Sequence, residues 1–210
     1  MATIKRTTIN YALILGLVAL ICTLITLAMY LLTQGRIQQA MDNHQRQLLA
    51  EVLPKNFATN NLLAACYRPT EKSGLQNISR LYLAKQQDKV AAYLFETTAP
   101  DGYSGDIRIL VAVTPVGQVL GVRILEHHET PGLGDKIETR LSDWIYAFTN
   151  KHFKVEESDK WAVKKDGGDF DQFAGATITP RAVVNAVKKG LLQFLAQPFV
   201  FNPEQFTTCQ

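Results

Sequence analysis

From Tyr11 to Leu32 the chain carries no charged side chain and is mostly apolar. A bilayer core needs about 20 such residues in helical form, so this run is long enough to span one. A cleaved signal peptide has a shorter apolar region, about 7–15 residues, with a small-residue cleavage site behind it. Met29-Tyr30-Leu31-Leu32 offers no such site, and an uncleaved anchor is the expectation. Behind it Ile37, Met41, His44, Leu48, Val52 and Leu53 recur at helical spacing and read as a stalk helix ending before Pro54.

The pattern then changes period. Phe57 to Leu75 is irregular, after which Arg80–Ala84 and Lys89–Glu96 read as two strands joined by a polar turn. Asp106–Val113 alternates, placing Ile107, Ile109, Val111 and Val113 on one face, and Val119–Leu125 is a further apolar run. Thr114-Pro115-Val116-Gly117-Gln118 between them suits a hairpin turn. In Asp135–Thr149 the residues Ile137, Leu141, Trp144, Ile145 and Phe148 fall on one helical stripe, predicting an amphipathic helix packed on the sheet. Trp161–Lys164 reads as a short strand and Lys165–Asp169 as a loop. A last helix starts at Thr179-Pro180 and turns Val183, Val184, Val187, Leu191 and Leu195 inward. Strands in succession with helices beside them predict an α+β domain with a mostly antiparallel sheet.

Charge alters this picture little. The net charge is +3, with no basic block to suggest nucleic acid and no acidic tail. Lys5 and Arg6 precede the apolar run, and Arg36 and Arg46 follow it. The bias toward a cytoplasmic N-terminus is small, and it would put the domain on the outer side of the membrane. Of three cysteines, Cys22 lies in the anchor. Cys66 and Cys209 can pair in an oxidising compartment or remain free thiols, and the sequence leaves both readings open.

Chemistry concentrates in Asp171-Gln172-Phe173-Ala174-Gly175-Ala176-Thr177-Ile178-Thr179-Pro180. Thr179 is a good helix N-cap and Pro180 a good first helical residue. Thr177 then lies just before a helix N-terminus, whose free amides and dipole favour an anion. Gly175 and Ala176 leave room for a large group beside it. By itself, Gly-Ala-Thr before a helix is most often loop and cap. His127-His128, flanked by Glu126 and Glu129, could suggest a metal, but neighbours on a strand point to opposite faces, so no metal site is expected. Trp144 and Phe148 fit the buried stripe, Lys164 and Lys165 a solvated loop, and Tyr103 is open between sheet packing and a ring contact. No acid–base pair or nucleophile constellation is present.

Asp171 through Thr177 resembles the acceptor motif of flavin transferases, which use FAD and a divalent metal to join FMN to a threonine hydroxyl as a phosphoester. The motif runs Asp, three residues ending in Ser or Thr, then Gly-Ala-Thr; Ala174 departs from it at a position that is not the acceptor. Gly102-Tyr103-Ser104-Gly105 and Glu126-His127-His128-Glu129-Thr130-Pro131-Gly132-Leu133-Gly134 resemble the FMN-binding domain family, in the form carried by G subunits of Rnf-type electron transport complexes and by C subunits of Na⁺-pumping quinone reductases. The resemblance implies FMN tethered covalently to Thr177, with Gly175, Ala176, Asp171, Glu129, Thr130, Leu133 and Gly134 around it.

The implied layout is a cytoplasmic N-terminus (1–10), a transmembrane helix (11–32), a stalk helix (33–56), a periplasmic FMN-binding domain (57–200) and a C-terminal tail (201–210). The implied activity is electron transfer of the ferredoxin/NAD type coupled to ion movement across the inner membrane. The implied partners are other membrane and iron–sulfur subunits and the maturing transferase. Two other function classes stand beside this one: a single-anchor periplasmic sensor or binding module, and a scaffold subunit without a redox role.

Overall fold

The computed structural model describes residues 2–55, 57–87, 89–195 and 201–209, with the side chains of residues 2–8, 38, 41, 42 and 44 excepted. The expected boundaries at Asn56 and Val200, and the Met41 and His44 side chains of the helical stripe, lie outside the described residues. Two units are distinguished, Met1–Gln45 and Arg46–Gln210. From Ala2 onward the first lies within helix α1 (Ala2–Glu51). Its stretch Ile9–Ile37, with a mean hydropathy of 2.7, is long and apolar enough to cross a membrane. The hydroxyls of Thr23, Thr26 and Thr33 donate to carbonyls one turn back, at 2.7, 2.8 and 2.7 Å, so they bring no unpaired donor into a hydrocarbon environment.

The second unit is built on a six-stranded sheet in the order β5-β4-β3-β2-β1-β6, and every neighbouring pair is antiparallel. The strands are β1 (Cys66–Pro69), β2 (Ile78–Gln86), β3 (Lys89–Gly102), β4 (Gly105–Val113), β5 (Val119–Glu126) and β6 (Phe206–Thr208). The alternation expected for β4 holds: Ile107, Ile109, Val111 and Val113 are fully buried beneath helix α2 (Ile178–Leu195), which turns Val183, Val184, Val187 and Leu191 toward them. Gly190 allows the close approach. A Cβ there would lie 2.6 Å from a Phe95 ring carbon. Mid-helix glycine costs about 1 kcal/mol relative to alanine, and here that cost is offset by contact between α2 and β3.

The opposite sheet face buries Tyr82, Leu94 and Leu110 against Leu49, Val52 and Leu53 at and just beyond the end of α1. Gly121 lets β5 approach, since a Cβ would stand 2.7 Å from the Val52 carbonyl oxygen. Arg123 then donates to the Glu51 carbonyl at 2.9 Å, satisfying one of the carbonyls that a helix end leaves free. Farther along this face Glu96 is buried, accepting from Tyr82 Oη at 2.6 Å and from Arg108 at 3.1 Å. Burial, and next the Glu96 carboxylate, push the Tyr82 phenol well above its ordinary range.

The segment read as an amphipathic helix over Asp135–Thr149 is not one. It forms two 3-10 turns, Gly134–Ile137 and Trp144–Phe148, separated by extended backbone at Glu138 (ψ 141°). Local side chains supply the competing bonds. Ser142 Oγ donates to the Lys136 carbonyl at 2.6 Å and accepts the Trp144 amide at 3.2 Å. Ile137, Ile145 and Phe148 are nevertheless fully buried, whereas Leu141 is 44% exposed. The short strand expected over Trp161–Lys164 is reduced to one bridge, Val163 to Phe170, followed by a 3-10 turn at Lys164–Asp166. Thr179 is not a cap either: α2 begins at Ile178, which places Thr179 inside its first turn.

The final residues supply β6, paired to β1, and a disulfide joins Cys66 to Cys209 with their Cα atoms 5.5 Å apart. That span is ordinary for a disulfide. In the chain-entropy account a crosslink closing a loop of this size stabilises by about 5 kcal/mol at most. Denatured, unreduced protein is therefore expected to titrate one thiol, that of Cys22, and three after reduction. Three thiols before reduction would show that the bridge is absent.

Candidate functional site

Three chain segments meet at the end of the sheet where β3 turns into β4 and β5 leaves it. The β3–β4 turn contributes Tyr103, the loop after β5 contributes Glu129, Thr130, Leu133 and Gly134, and the entry to α2 contributes Gly175, Ala176, Thr177, Ile178 and Thr179. Together they line a cavity of about 260 Å³. The α2 entry is a small turn, closed by the Ala176 amide donating to the Phe173 carbonyl at 3.2 Å. Its tip uses Gly175 at φ 78°, a left-handed conformation that favours glycine. Phe173 anchors the turn against the Trp144 ring, 5.2 Å away. Thr177 follows, half-buried, immediately before α2, and among the described residues its hydroxyl has no hydrogen-bond partner.

Glu129 organises the cavity wall. Only 5% exposed, it accepts the Ser104 amide at 3.0 Å on one oxygen and the Thr179 hydroxyl, through a short bond, on the other. Two glycines make room for it. A Cβ on Gly102 would lie 3.0 Å from Glu129 Oε1, and one on Gly134 would lie 2.7 Å from both Glu129 Oε2 and Thr179 Oγ1. The carboxylate thus ties the β3–β4 turn, the loop after β5 and the first turn of α2 to one another. Hydrogen bonds to a charged group contribute more than neutral ones, about 1.5–3 kcal/mol each. The two donors also offset the cost of burying the charge.

Glu138 stands behind this wall. Arg140 donates to it, as a close pair through Nε and at 3.1 Å through Nη2, and His127 Nε2 lies 2.6 Å from Glu138 Oε1. Arg140 first, and His127 after it, hold the Glu138 carboxyl below the usual carboxylate range. His127, within the run considered for a metal, is engaged here by Glu138 and by the Glu129 amide, which donates to Nδ1 at 3.0 Å.

Seven residues singled out from the sequence, Glu129, Thr130, Leu133, Gly134, Gly175, Ala176 and Thr177, line this single cavity. Asp171 does not line it. Its carboxylate pairs with Lys164 at 2.6 Å and its carbonyl accepts Trp144 Nε1 at 2.7 Å. Tyr103, left open by the sequence, lines the cavity and is 68% exposed. The sequence motifs do not assign Ile178 and Thr179 to the site. Proximity to Thr177 could have drawn attention to Thr179, but its bond to Glu129 joins residues 50 positions apart and no sequence spacing announces it.

An apolar helix long enough to cross a membrane and a sheet domain with this cavity fit an FMN-binding protein: residues 102–192 match the FMN-binding domain family and residues 1–52 match the RnfG N-terminal region. The chain belongs to the family of G subunits of ion-translocating oxidoreductase complexes. The G subunit of that complex from Haemophilus influenzae strain PittEE is 52% identical over 195 residues, covering 93% of each chain. Its counterpart of the same name from Escherichia coli K12 is 50% identical over 204 residues, covering 97% of this chain and 98% of its own. A crystal structure of Shewanella oneidensis NqrC is 22% identical with a TM-score of 0.47, covering 69% of this chain and 72% of that one.

Gly134→Ala forces a methyl group onto both partners of the Glu129–Thr179 bond. Overpacking of this kind costs about 1–3 kcal/mol. At about 2–4 °C per kcal/mol for a domain of this size, thermal unfolding followed by circular dichroism is expected to fall by several degrees. An unchanged midpoint would show that the cradle around Glu129 has slack.

Proposed function

We propose that this chain is a flavoprotein subunit of a membrane-bound, ion-translocating redox complex, with FMN attached through its phosphate to Thr177 Oγ1. The observation that carries this reading is convergence: two motifs far apart in sequence, Glu129–Gly134 and Gly175–Thr177, wall one cavity, with Thr177 among its lining residues. Membership of the family and of the FMN-binding domain supports it further.

The residues present fit the group. A phosphodiester on Thr177 would carry one negative charge at the N-terminus of an 18-residue helix, where unpaired amides and the helix dipole favour an anion. Leu133, Ala176, Ile178 and Tyr103 offer an apolar lining for a flat ring system, and Glu129 and Thr130 offer polar groups beside it. Gly175 leaves the approach open, since a Cβ there would meet only Leu133 Cδ2 at 3.9 Å. FMN exchanges one or two electrons when bound, and the protein's part is to place and tune it. Thr177 is a tether and takes no proton in this reading. Asp171, outside the cavity, serves in this reading as a recognition point for the flavin transferase.

The domain faces the periplasm, with residues 11–32 crossing the inner membrane. The Cys66–Cys209 disulfide supports that side, because such bonds persist in oxidising compartments. The partners are the other subunits of an Rnf-type complex, iron–sulfur subunits among them, in a chain of ferredoxin/NAD-type electron transfer.

Thr177→Ala is expected to abolish the ultraviolet-fluorescent band of this chain on a denaturing gel, in a host that has the transferase. Thr179→Ala is expected to keep the band while lowering stability by about 1.5–3 kcal/mol, because Glu129 loses a donor. Mass spectrometry of the tryptic peptide that finds flavin on Thr179, with Thr177 bare, overturns the assignment. For topology, alkaline phosphatase fused to the C-terminus is expected to be active and green fluorescent protein exported by the Sec route to be dark. The reverse pair of results places the domain in the cytoplasm.

A further inference from the structure

His127 is 10% exposed at its side chain and does not line the cavity, yet both of its ring nitrogens are engaged. Nδ1 accepts the backbone amide of Glu129 at 3.0 Å, and Nε2 lies 2.6 Å from Glu138 Oε1. Because Nδ1 accepts, the neutral ring carries its proton on Nε2 and donates it to Glu138. Arg140 also donates to Glu138, to both of its oxygens, and keeps it an acceptor. The ring therefore bridges the first and last residues of the Glu129–Glu138 segment, whose Thr130, Leu133 and Gly134 wall the flavin cavity. Inside it the backbone is irregular: Gly132 has φ 78° and Leu133 has φ −119°, ψ −83°. Within the loop itself Leu133 and Gly134 share one acceptor, the Thr130 carbonyl.

We propose that His127 and Glu138 are positioning residues that clasp this loop, fix the Glu129 carboxylate and Leu133 against the cofactor, and so set the environment of the flavin. The proposal rests on reading the cavity as the flavin site. His127 acts through the Glu129 amide: without its Nδ1 acceptor, that buried N–H loses its partner, and the carboxylate it carries is the tie to Ser104 and Thr179.

The test separates the clasp from the flavin. Amide hydrogen exchange is measured on the full chain in detergent, in a Thr177→Ala background that holds no covalent flavin. His127→Ala is expected to raise exchange about tenfold across residues 129–134, the change that follows from one lost hydrogen bond, with β3 and β4 unchanged. The conservative variants divide the two ends. In His127→Asn the amide oxygen stands near the Nδ1 position and is expected to keep the Glu129 amide protected. In His127→Gln the amide nitrogen stands near Nε2 and is expected to keep the link to Glu138 while releasing Glu129. Equal behaviour of all three variants, no local rise, or a rise spread equally over β3 and β4 overturns the clasp. In the flavin-bearing chain, His127→Ala is expected to keep the fluorescent gel band and to change the visible circular dichroism and midpoint potential of the flavin. Unchanged values beside a confirmed local rise overturn the positioning role. Absence of the band from the unsubstituted chain overturns the flavin reading and leaves the exchange result standing.

Discussion

Burial of the Glu129 carboxylate is the constraint on which the site depends. A charge held at 5% exposure needs donors, and it has two: a backbone amide from the β3–β4 turn and a hydroxyl from the first turn of α2. To reach both, the side chain passes between Gly102 and Gly134, neither of which has space for a Cβ. Three segments that are distant in sequence are thereby fixed with respect to one another. The cavity beside Thr177 is what remains between them. Loss of any one partner leaves a buried charge short of a donor, which is a larger penalty than the net contribution of an ordinary hydrogen bond.

The sheet supplies the frame that makes this possible. One face buries its alternating aliphatic residues under α2, and that packing fixes where the helix N-terminus, and hence Thr177, stands. The other face takes Leu49, Val52 and Leu53, with Arg123 closing the last carbonyl of α1. At the sheet edge, β6 and the Cys66–Cys209 bond hold the chain end against β1.

Much of the fold was legible along the chain because period-2 alternation is a local property. The central strands and the β4–β5 hairpin follow from it, although β3 continues past Glu96 to Gly102, and α2 follows from the equally local 3.6-residue period. The segment over Asp135–Thr149 shows where periodicity misleads. Its apolar spacing suits a helix and most of its stripe is buried, but the spacing records burial rather than backbone conformation. Ser142 bonding to the backbone of Lys136 and Trp144, and Glu138 held by His127, favour two short turns. β6 was not legible, since three residues carry too little pattern to announce a strand, and its pairing with β1 spans nearly the whole domain.

By itself, the sequence determined the anchor-length helix, the α+β class, the family resemblance and the motif residues that turned out to share one cavity. These are encoded in composition, alternation and motif, each readable within a few residues. Tertiary structure alone decided that Cys66 and Cys209 are bonded, that Asp171 turns to Lys164 and away from the cavity, and that Thr179 serves Glu129 instead of capping α2. It also decided that His127 joins the two ends of the loop from Glu129 to Glu138. Each of these is a contact between side chains or backbone groups brought together by packing, and the energy of such a contact depends on distance and burial, which sequence spacing does not encode.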